Sequence, residues 1–75
     1  MIDKKWSNYI KSLLKAEIKK KNITYEQLSI KLKNLGVLET PESINTKINR
    51  GTFSSVFFIQ CLLAIDVQKI KFERP

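Results

Sequence analysis

With 75 residues, the chain is long enough for one small domain, and a domain of this length buries only about 60% of the surface that its unfolded chain exposes. Hydrophobic residues make up 43% and charged residues 28%, a balance that is typical of a globular protein and excludes a disordered one. The net charge of +7 points to a polyanion such as nucleic acid, and less readily to an anionic membrane surface. Nearly all the basic residues are lysines, so the composition of an AT-rich genome explains the excess equally well.

Several classes of function lack the residues they need. There is no histidine and Cys61 is the single cysteine, so we expect no metal site, disulfide or Cys/His nucleophile. We find no glycine-rich phosphate loop and no pair of carboxylates at a common site, and we therefore predict no enzyme, cofactor or small-molecule ligand. No apolar run approaches the roughly 18 residues that span a bilayer, and the lysine-bearing start leads into no signal-peptide core. These features predict a cytoplasmic protein without a membrane segment.

The first predicted helix runs from Trp6 to about Lys21. Its apolar residues recur at the spacing of one helical stripe, namely Trp6, Ile10, Leu13, Leu14 and Ile18. Lys11, Lys15 and Lys19 stand four residues apart beside this stripe, and we expect them to form a solvated row. Asn22 is the expected stop.

A second helix is predicted to start at Thr24. Its hydroxyl can cap the amide of Gln27 while the Gln27 side chain reaches back, and Ile23 can pack on Leu28 as a hydrophobic staple. We expect Leu28, Leu32 and Leu35 to be buried, and Gly36 to end the helix in the left-handed conformation.

The third predicted helix runs from Pro41 to about Arg50, with Thr40 as its N-cap. Only Ile44 and Ile48 are available for burial. The polar residues Glu42, Ser43, Thr46, Asn49 and Arg50 face away from them, with Asn45 and Lys47 on the flanks. A short helix with so polar an outer face requires water or a ligand on that side.

Gly51 ends the third helix, and Ser54 or Ser55 can cap a fourth helix that is apolar almost all round. Phe58, Cys61, Leu62 and Ile65 can fill the core of a small domain. That orientation leaves Val56, Ile59 and Leu63 without cover, and a partner subunit would supply it.

The tail from Val67 to Glu73 alternates imperfectly between apolar and polar residues and predicts a short strand. Such a strand has no mate within the chain, so it would pair with its copy in a dimer or add to another protein. The predicted homodimer interface is therefore Val56, Ile59, Leu63, Ile70 and Phe72.

The pattern as a whole predicts an all-α fold of four to five short helices in one domain over residues 1–75. The segments 24–32, 43–51 and 62–67 resemble the Cro and lambda-repressor type of helix-turn-helix. The sequence departs from that type in its longer link between Leu32 and Ile44, and in Pro41 and Glu42, which stand where the type often has uncharged donors. The chain is also similar to a narrower family of small bacterial proteins, described as a domain of unknown function. This second similarity is carried by Trp6, Thr24, Tyr25, Lys47, Arg50, Gly51, Phe53, Ser54, Phe57 and Gln60.

The first resemblance implies a dimeric regulator of transcription that binds double-stranded DNA, with helix 41–50 in the major groove. The implied contacts to base edges come from Ser43, Asn45, Thr46, Asn49 and Arg50. The implied contacts to phosphates come from Thr24, Tyr25, Lys31, Lys33 and Lys47, at and near the N-terminus of the second helix.

Three observations keep alternatives open. Thr24 and Gln27 have a sufficient role as helix caps, and Tyr25 suits the core edge as well as a phosphate. Residues 1–35 hold nine lysines and three acidic residues, net +6, whereas residues 36–75 hold five basic and four acidic residues, net +1, so the reading helix is nearly neutral locally.

The main rival is a protein-interaction module, antitoxin-like, that docks through helix 54–65 and the tail. An RNA-binding role ranks lower, because Phe53, Phe57 and Phe58 are expected inside and no stacking platform remains.

Overall fold

Residues 4–74 are described by a computed structural model of the protein, and they form four α-helices. The helices are α1 (Lys4–Lys20), α2 (Tyr25–Asn34), α3 (Pro41–Arg50) and α4 (Ser55–Ala64). α1 and α2 each pack against both α3 and α4. The predicted all-α fold is confirmed, and each predicted helix is present within one or two residues of its expected bounds.

One apolar core lies between the four helices. It consists of Leu14, Ile18, Leu28, Leu32, Ile44, Ile48, Phe57, Phe58, Cys61, Leu62, Ile65 and Val67. Within residues 4–74 no polar or charged side chain is buried. Burial raises the pKa of the Cys61 thiol to about 12, so this cysteine is a packing residue, as predicted.

The starts of three helices follow the capping pattern of the sequence. At α2 the Gln27 amide donates to Thr24 Oγ1 over 3.1 Å, and the Thr24 amide donates to Gln27 Oε1 over 2.8 Å. A second reciprocal pair joins Thr40 and Ser43 at α3, where Pro41 takes the first helical position. Ser54 accepts from the Phe57 amide at α4. Each of these side chains satisfies backbone amides that the helix itself leaves open.

All four helices end before a residue in the left-handed conformation. These residues are Asn22, Gly36, Gly51 and Asp66. After α1, α2 and α4, the residue that follows the left-handed one donates its amide to the carbonyl five residues earlier. These residues are Ile23, Val37 and Val67. The same three apolar residues then pack on the core. The chain thus turns at each of these ends and returns to the core at once.

This ending explains one wrong prediction, the burial of Leu35. Leu35 is the C-cap of α2, where the helix turns away from the core, and its side chain is 51% exposed. Val37, two residues later, takes the place against the core that Leu35 was expected to fill.

The predicted C-terminal strand is also absent, because residues 67–74 contain no strand. The tail instead runs along α1. Lys21 Nζ donates to the Asp66 carbonyl, Ile70 packs partly on the core, and the Glu73 amide donates to Tyr9 Oη over 2.9 Å. These contacts hold the tail against the protein at residues 66, 70 and 73, while Phe72 stays exposed.

None of the helices in residues 4–74 combines the length and the hydrophobicity needed to cross a membrane.

Candidate nucleic-acid interface

The outer face of α3 is held in place by two isoleucines. Ile44 and Ile48 are both completely buried, and Thr46, midway between them in sequence, points to the opposite side. Four of the five residues predicted to contact base edges are exposed on this helix, namely Asn45, Thr46, Asn49 and Arg50. α3 is therefore anchored on one side and hydrophilic on the other.

Two amides on this face hold each other. Asn49 Nδ2 donates to Asn45 Oδ1 over 2.9 Å, one turn apart on the exposed surface. The bond orders both side chains and uses one polar atom of each, which leaves Asn45 Nδ2 and Asn49 Oδ1 for other partners.

Ser43, the fifth of these residues, is half-buried and turned toward the protein. Its hydroxyl accepts from the Thr40 amide and donates to Glu39 Oε1 over 2.6 Å. Ser43 therefore helps to start α3 and to fix the link that precedes it.

Glu39 organises the link between α2 and α3. Its backbone carbonyl accepts from Ser29 Oγ on α2, and its carboxylate accepts from Ser43 Oγ and from Lys47 Nζ on α3. We call this set of Ser29, Glu39, Ser43 and Lys47 the Glu39 cluster. It joins both helices across the link of residues 35–40, and so fixes their mutual position despite the length of the link.

The electrostatics of the cluster keep the Glu39 carboxylate ionised. Its side chain is only 11% exposed, and this burial acts to raise the pKa. Hydrogen bonds from Lys47 and Ser43 and the Lys47 charge outweigh burial, so the pKa lies below its ordinary value.

Lys47, predicted to contact a phosphate, is exposed but already paired with groups of the protein itself. Its ammonium group pairs with Glu39 and lies 5.2 Å from the centroid of the Phe57 ring. The carboxylate offsets its charge and the ring face adds a cation–π contact. Of the two basic residues on α3, Arg50 is thus the more available for an external anion.

The N-terminus of α2 carries more positive charge than the sequence suggested. Thr24 and Tyr25 line a shallow depression of about 280 Å³ whose wall includes Lys15 and Lys19 of α1. Burial raises the pKa of Tyr25, with a smaller effect from Cys61, so its hydroxyl stays protonated and can donate. Two exposed lysines beside the positive end of the α2 dipole are a suitable environment for a phosphate.

Lys31 and Lys33, the remaining predicted phosphate contacts, lie on α2. Lys31 is half-buried and Lys33 is exposed. Lys33 borders a groove of about 630 Å³ between α2 and α3, together with the exposed side chains of Ile30 and Leu38. Lys31 borders a different depression, together with Lys21 and Asn34, so the two lysines lie on different sides of α2 and only Lys33 is near the link.

Two residues that sequence reasoning missed act on α3. Lys11 Nζ donates to the Asn49 carbonyl over 3.3 Å and so places a positive charge at the negative end of the helix dipole. The other is Glu39, whose spacing of four from Ser43 and of eight from Lys47 is a signal in the sequence. The Lys11 contact joins residues 38 apart in the chain and has no such signal.

The outer face of α4 is apolar, as predicted. Val56, Ile59 and Leu63 are exposed, and Leu63 is 57% so. Between α4 and the tail lies a groove of about 350 Å³, whose walls include Ile59, Leu63 and Ile70. Ile70 packs partly on the protein's own core, while Phe72 is exposed.

The fold and these surfaces define a small all-α domain with one hydrophilic and one apolar helix face. The comparison with family models then places it: residues 6–70 match the family described as a domain of unknown function, DUF6471. The match covers most of the chain, and the protein belongs to this family, in agreement with the narrower resemblance drawn from the sequence. No curated protein and no solved structure matches the chain.

Proposed function

We propose that the protein binds double-stranded DNA and acts as a small transcriptional regulator, with α3 as the helix that enters the major groove. The observation that carries this proposal is the two-sided character of α3. Ile44 and Ile48 fix it to the core with no exposed surface, so the ordered polar side chains of Asn45, Thr46 and Asn49 project outward from a rigid base.

The charge distribution supports a division of labour between helices. The outer face of α3 supplies groups that discriminate bases but little net charge. The lysines of α1 and α2, including Lys15 and Lys19 beside the N-terminus of α2, supply the attraction for phosphates that dominates affinity for DNA.

The proposed active species is a homodimer that covers the apolar face of α4. Two copies of this face would bury Val56, Ile59 and Leu63 against each other, as a two-fold interface requires. Dimeric readers of this kind bind two half-sites, so the proposed target is a palindrome.

The test is selection from a random duplex pool with the purified protein, followed by titration of a labelled duplex carrying the recovered motif. We expect the double variant Asn49→Ala with Arg50→Ala to abolish preference for this motif while circular dichroism stays unchanged. The control is Gln68→Ala with Lys69→Ala, which removes the same kinds of group from exposed positions of the tail. Failure to recover any motif, or unchanged binding by the α3 variant, would remove α3 from the interface.

A second candidate function is that of a protein-interaction module, antitoxin-like, with α4 and the tail as its docking surface. The observation in its favour is the exposed apolar face of α4, which a protein partner could cover as well as a second copy. Salt separates the two functions: affinity for DNA falls steeply between about 50 and 200 mM salt, whereas apolar docking responds weakly.

A further inference from the structure

An aromatic surface lies at the C-terminal end of α3, whereas the Glu39 cluster lies toward its N-terminal end. The indole of Trp6 is 55% exposed and meets the Tyr9 ring edge-on, at a centroid distance of 6.2 Å. Together with Gly51 and Thr52 the two rings line an open depression of about 420 Å³. We call this the Trp6 depression.

The Trp6 depression is rigidly connected to the end of α3. A Cβ atom on Gly51 would lie 2.6 Å from the Ser7 carbonyl oxygen, so the first turns of α1 touch the C-terminus of α3 directly. Lys11 fastens the same junction through the Asn49 carbonyl. The indole therefore lies near the C-terminal end of α3, where Gly51 and Thr52 follow the helix.

Basic residues adjoin this end of the molecule, one through a contact and two through their place in the chain. Arg50 directly precedes Gly51, Lys11 contributes from α1, and Arg74 follows Glu73, whose amide is bound to Tyr9 Oη. Glu73, an acidic residue in the described part of this tail, is paired with Lys71 over 3.7 Å. An exposed indole with basic residues nearby is a combination that nucleic-acid-binding surfaces use.

We propose that the Trp6 depression contacts the sugar–phosphate backbone of the duplex that flanks the groove occupied by α3. This inference rests on the proposed DNA binding and extends it to a residue outside the reading helix. A helix in the major groove is bordered by backbone, so a side chain beside its end meets deoxyribose and phosphate before it meets a base. The indole suits both, because its apolar face packs on the sugar and Nε1–H donates to a phosphate oxygen.

The chain contains one tryptophan, so its fluorescence reports on this site directly. A labelled duplex is titrated with protein, and anisotropy of the label and tryptophan emission are recorded on the same samples. We expect the anisotropy to rise while the emission is quenched and moves to shorter wavelength, and high salt to reverse both. A rise in anisotropy with unchanged emission would overturn the Trp6 inference alone. No rise in anisotropy would overturn it together with the proposed DNA binding.

Variants separate the apolar contact from the hydrogen bond. We expect Trp6→Ala to weaken duplex binding about tenfold, and Trp6→Phe, which keeps an apolar ring but loses the donor, to weaken it by less than Trp6→Ala. The control is Leu35→Ala, which removes a side chain of similar exposure at the far end of α2. Thermal melting checks that each variant is folded. Equal affinity of Trp6→Ala and the natural protein would contradict the proposal. So would tighter binding and stronger quenching with a single-stranded oligonucleotide, since that result would assign the indole to base stacking.

Discussion

α3 and α4 are helices of the same length whose outer faces differ, because that of α3 is polar and that of α4 is apolar. Each has ten residues and a Ser or Thr N-cap, and each ends before a left-handed residue. α3 buries two isoleucines and exposes mainly polar groups, whereas α4 buries four residues and still exposes Val56, Ile59 and Leu63. Helix formation is thus a local property in both, while the outer face decides what each can bind.

The difference assigns the two faces to different classes of partner. Exposed polar side chains carry no free-energy penalty while water hydrates them, and a polar ligand can replace their hydrogen bonds to water. Exposed apolar groups gain free energy only when another apolar surface covers them, at roughly 25 cal/mol per Å². Ile48→Ala and Leu63→Glu test this division, and Gly51→Ala and Glu39→Gln test the contacts that hold α3 in place; they are given from the largest expected effect to the smallest.

Ile48→Ala tests whether α3 depends on its inner face. Removing a fully buried isoleucine should cost about 2–5 kcal/mol of the free energy of unfolding, because it leaves a cavity between α3 and the core. The control Ile59→Ala removes the same atoms from the exposed face of α4 and should have a small effect on the unfolding of the monomer. Urea unfolding followed by circular dichroism measures both, and equal losses would contradict the anchoring role of Ile48.

Gly51→Ala tests the junction between α3 and α1. Gly51 has a positive φ of 67°, and a methyl group there would strike the Ser7 carbonyl, so we expect a loss of about 2–4 kcal/mol. Gly36→Ala is the matched control, since its φ is also positive but no atom lies within 4 Å of the added carbon. It should cost only the conformational part, about 1–2 kcal/mol. Similar melting temperatures for the two variants would refute the close contact.

Leu63→Glu tests whether the outer face of α4 is an association surface. A buried, unpaired carboxylate would oppose the proposed dimer, while the exposed position tolerates it in the monomer, so we expect a folded monomer. Sedimentation equilibrium measures the loss of association, which should be tenfold or more, on the order of 1.4 kcal/mol. Thr46→Glu places the same charge on the outer face of α3 and should leave the association unchanged. A natural protein that sediments as a monomer would overturn the dimer.

The smallest expected effect is the contribution of Glu39 to the dependence of stability on pH. Its pKa is lower in the folded protein than in the unfolded chain, so its contribution to stability is present above the unfolded pKa and is lost as pH falls through the folded pKa. The natural protein should therefore lose stability below about pH 4.5, and Glu39→Gln should flatten this acid limb. Melting temperatures between pH 3 and pH 7 measure it. Glu42→Gln removes an exposed carboxylate next to the cluster as a control, and an equal flattening by Glu42→Gln would argue against a special role for Glu39.

The sequence predicted the parts of the candidate site that depend on neighbours in the chain. The outward position of Asn45, Thr46 and Asn49 follows from the spacing of Ile44 and Ile48, because helical periodicity alone sorts the two sides. The pairing of Lys47 with Glu39 was not predicted. From the sequence, Lys47 was interpreted as an exposed helical lysine that is available to a phosphate. In the fold, the Glu39 carboxylate already pairs with it.

The tail illustrates the same limit. Its alternating pattern is compatible with a strand, and the contact that holds its end, between Glu73 and Tyr9, joins residues 64 apart that no local pattern relates. The Trp6 depression likewise exists because Gly51 allows two distant backbones to touch.

The amino-acid sequence by itself determined the four helices, their N-capping residues, the left-handed end at Gly36 and nearly all of the core. These features depend on side chains within a few residues of one another, and short-range hydrogen bonds and helical periodicity are encoded locally. The tertiary structure decided which lysines remain available to a ligand, how the link of residues 35–40 is fastened, and which end of α3 has an indole beside it. Those properties depend on contacts between different helices and links, such as Lys11 with the Asn49 carbonyl, which the pattern of each single helix does not specify.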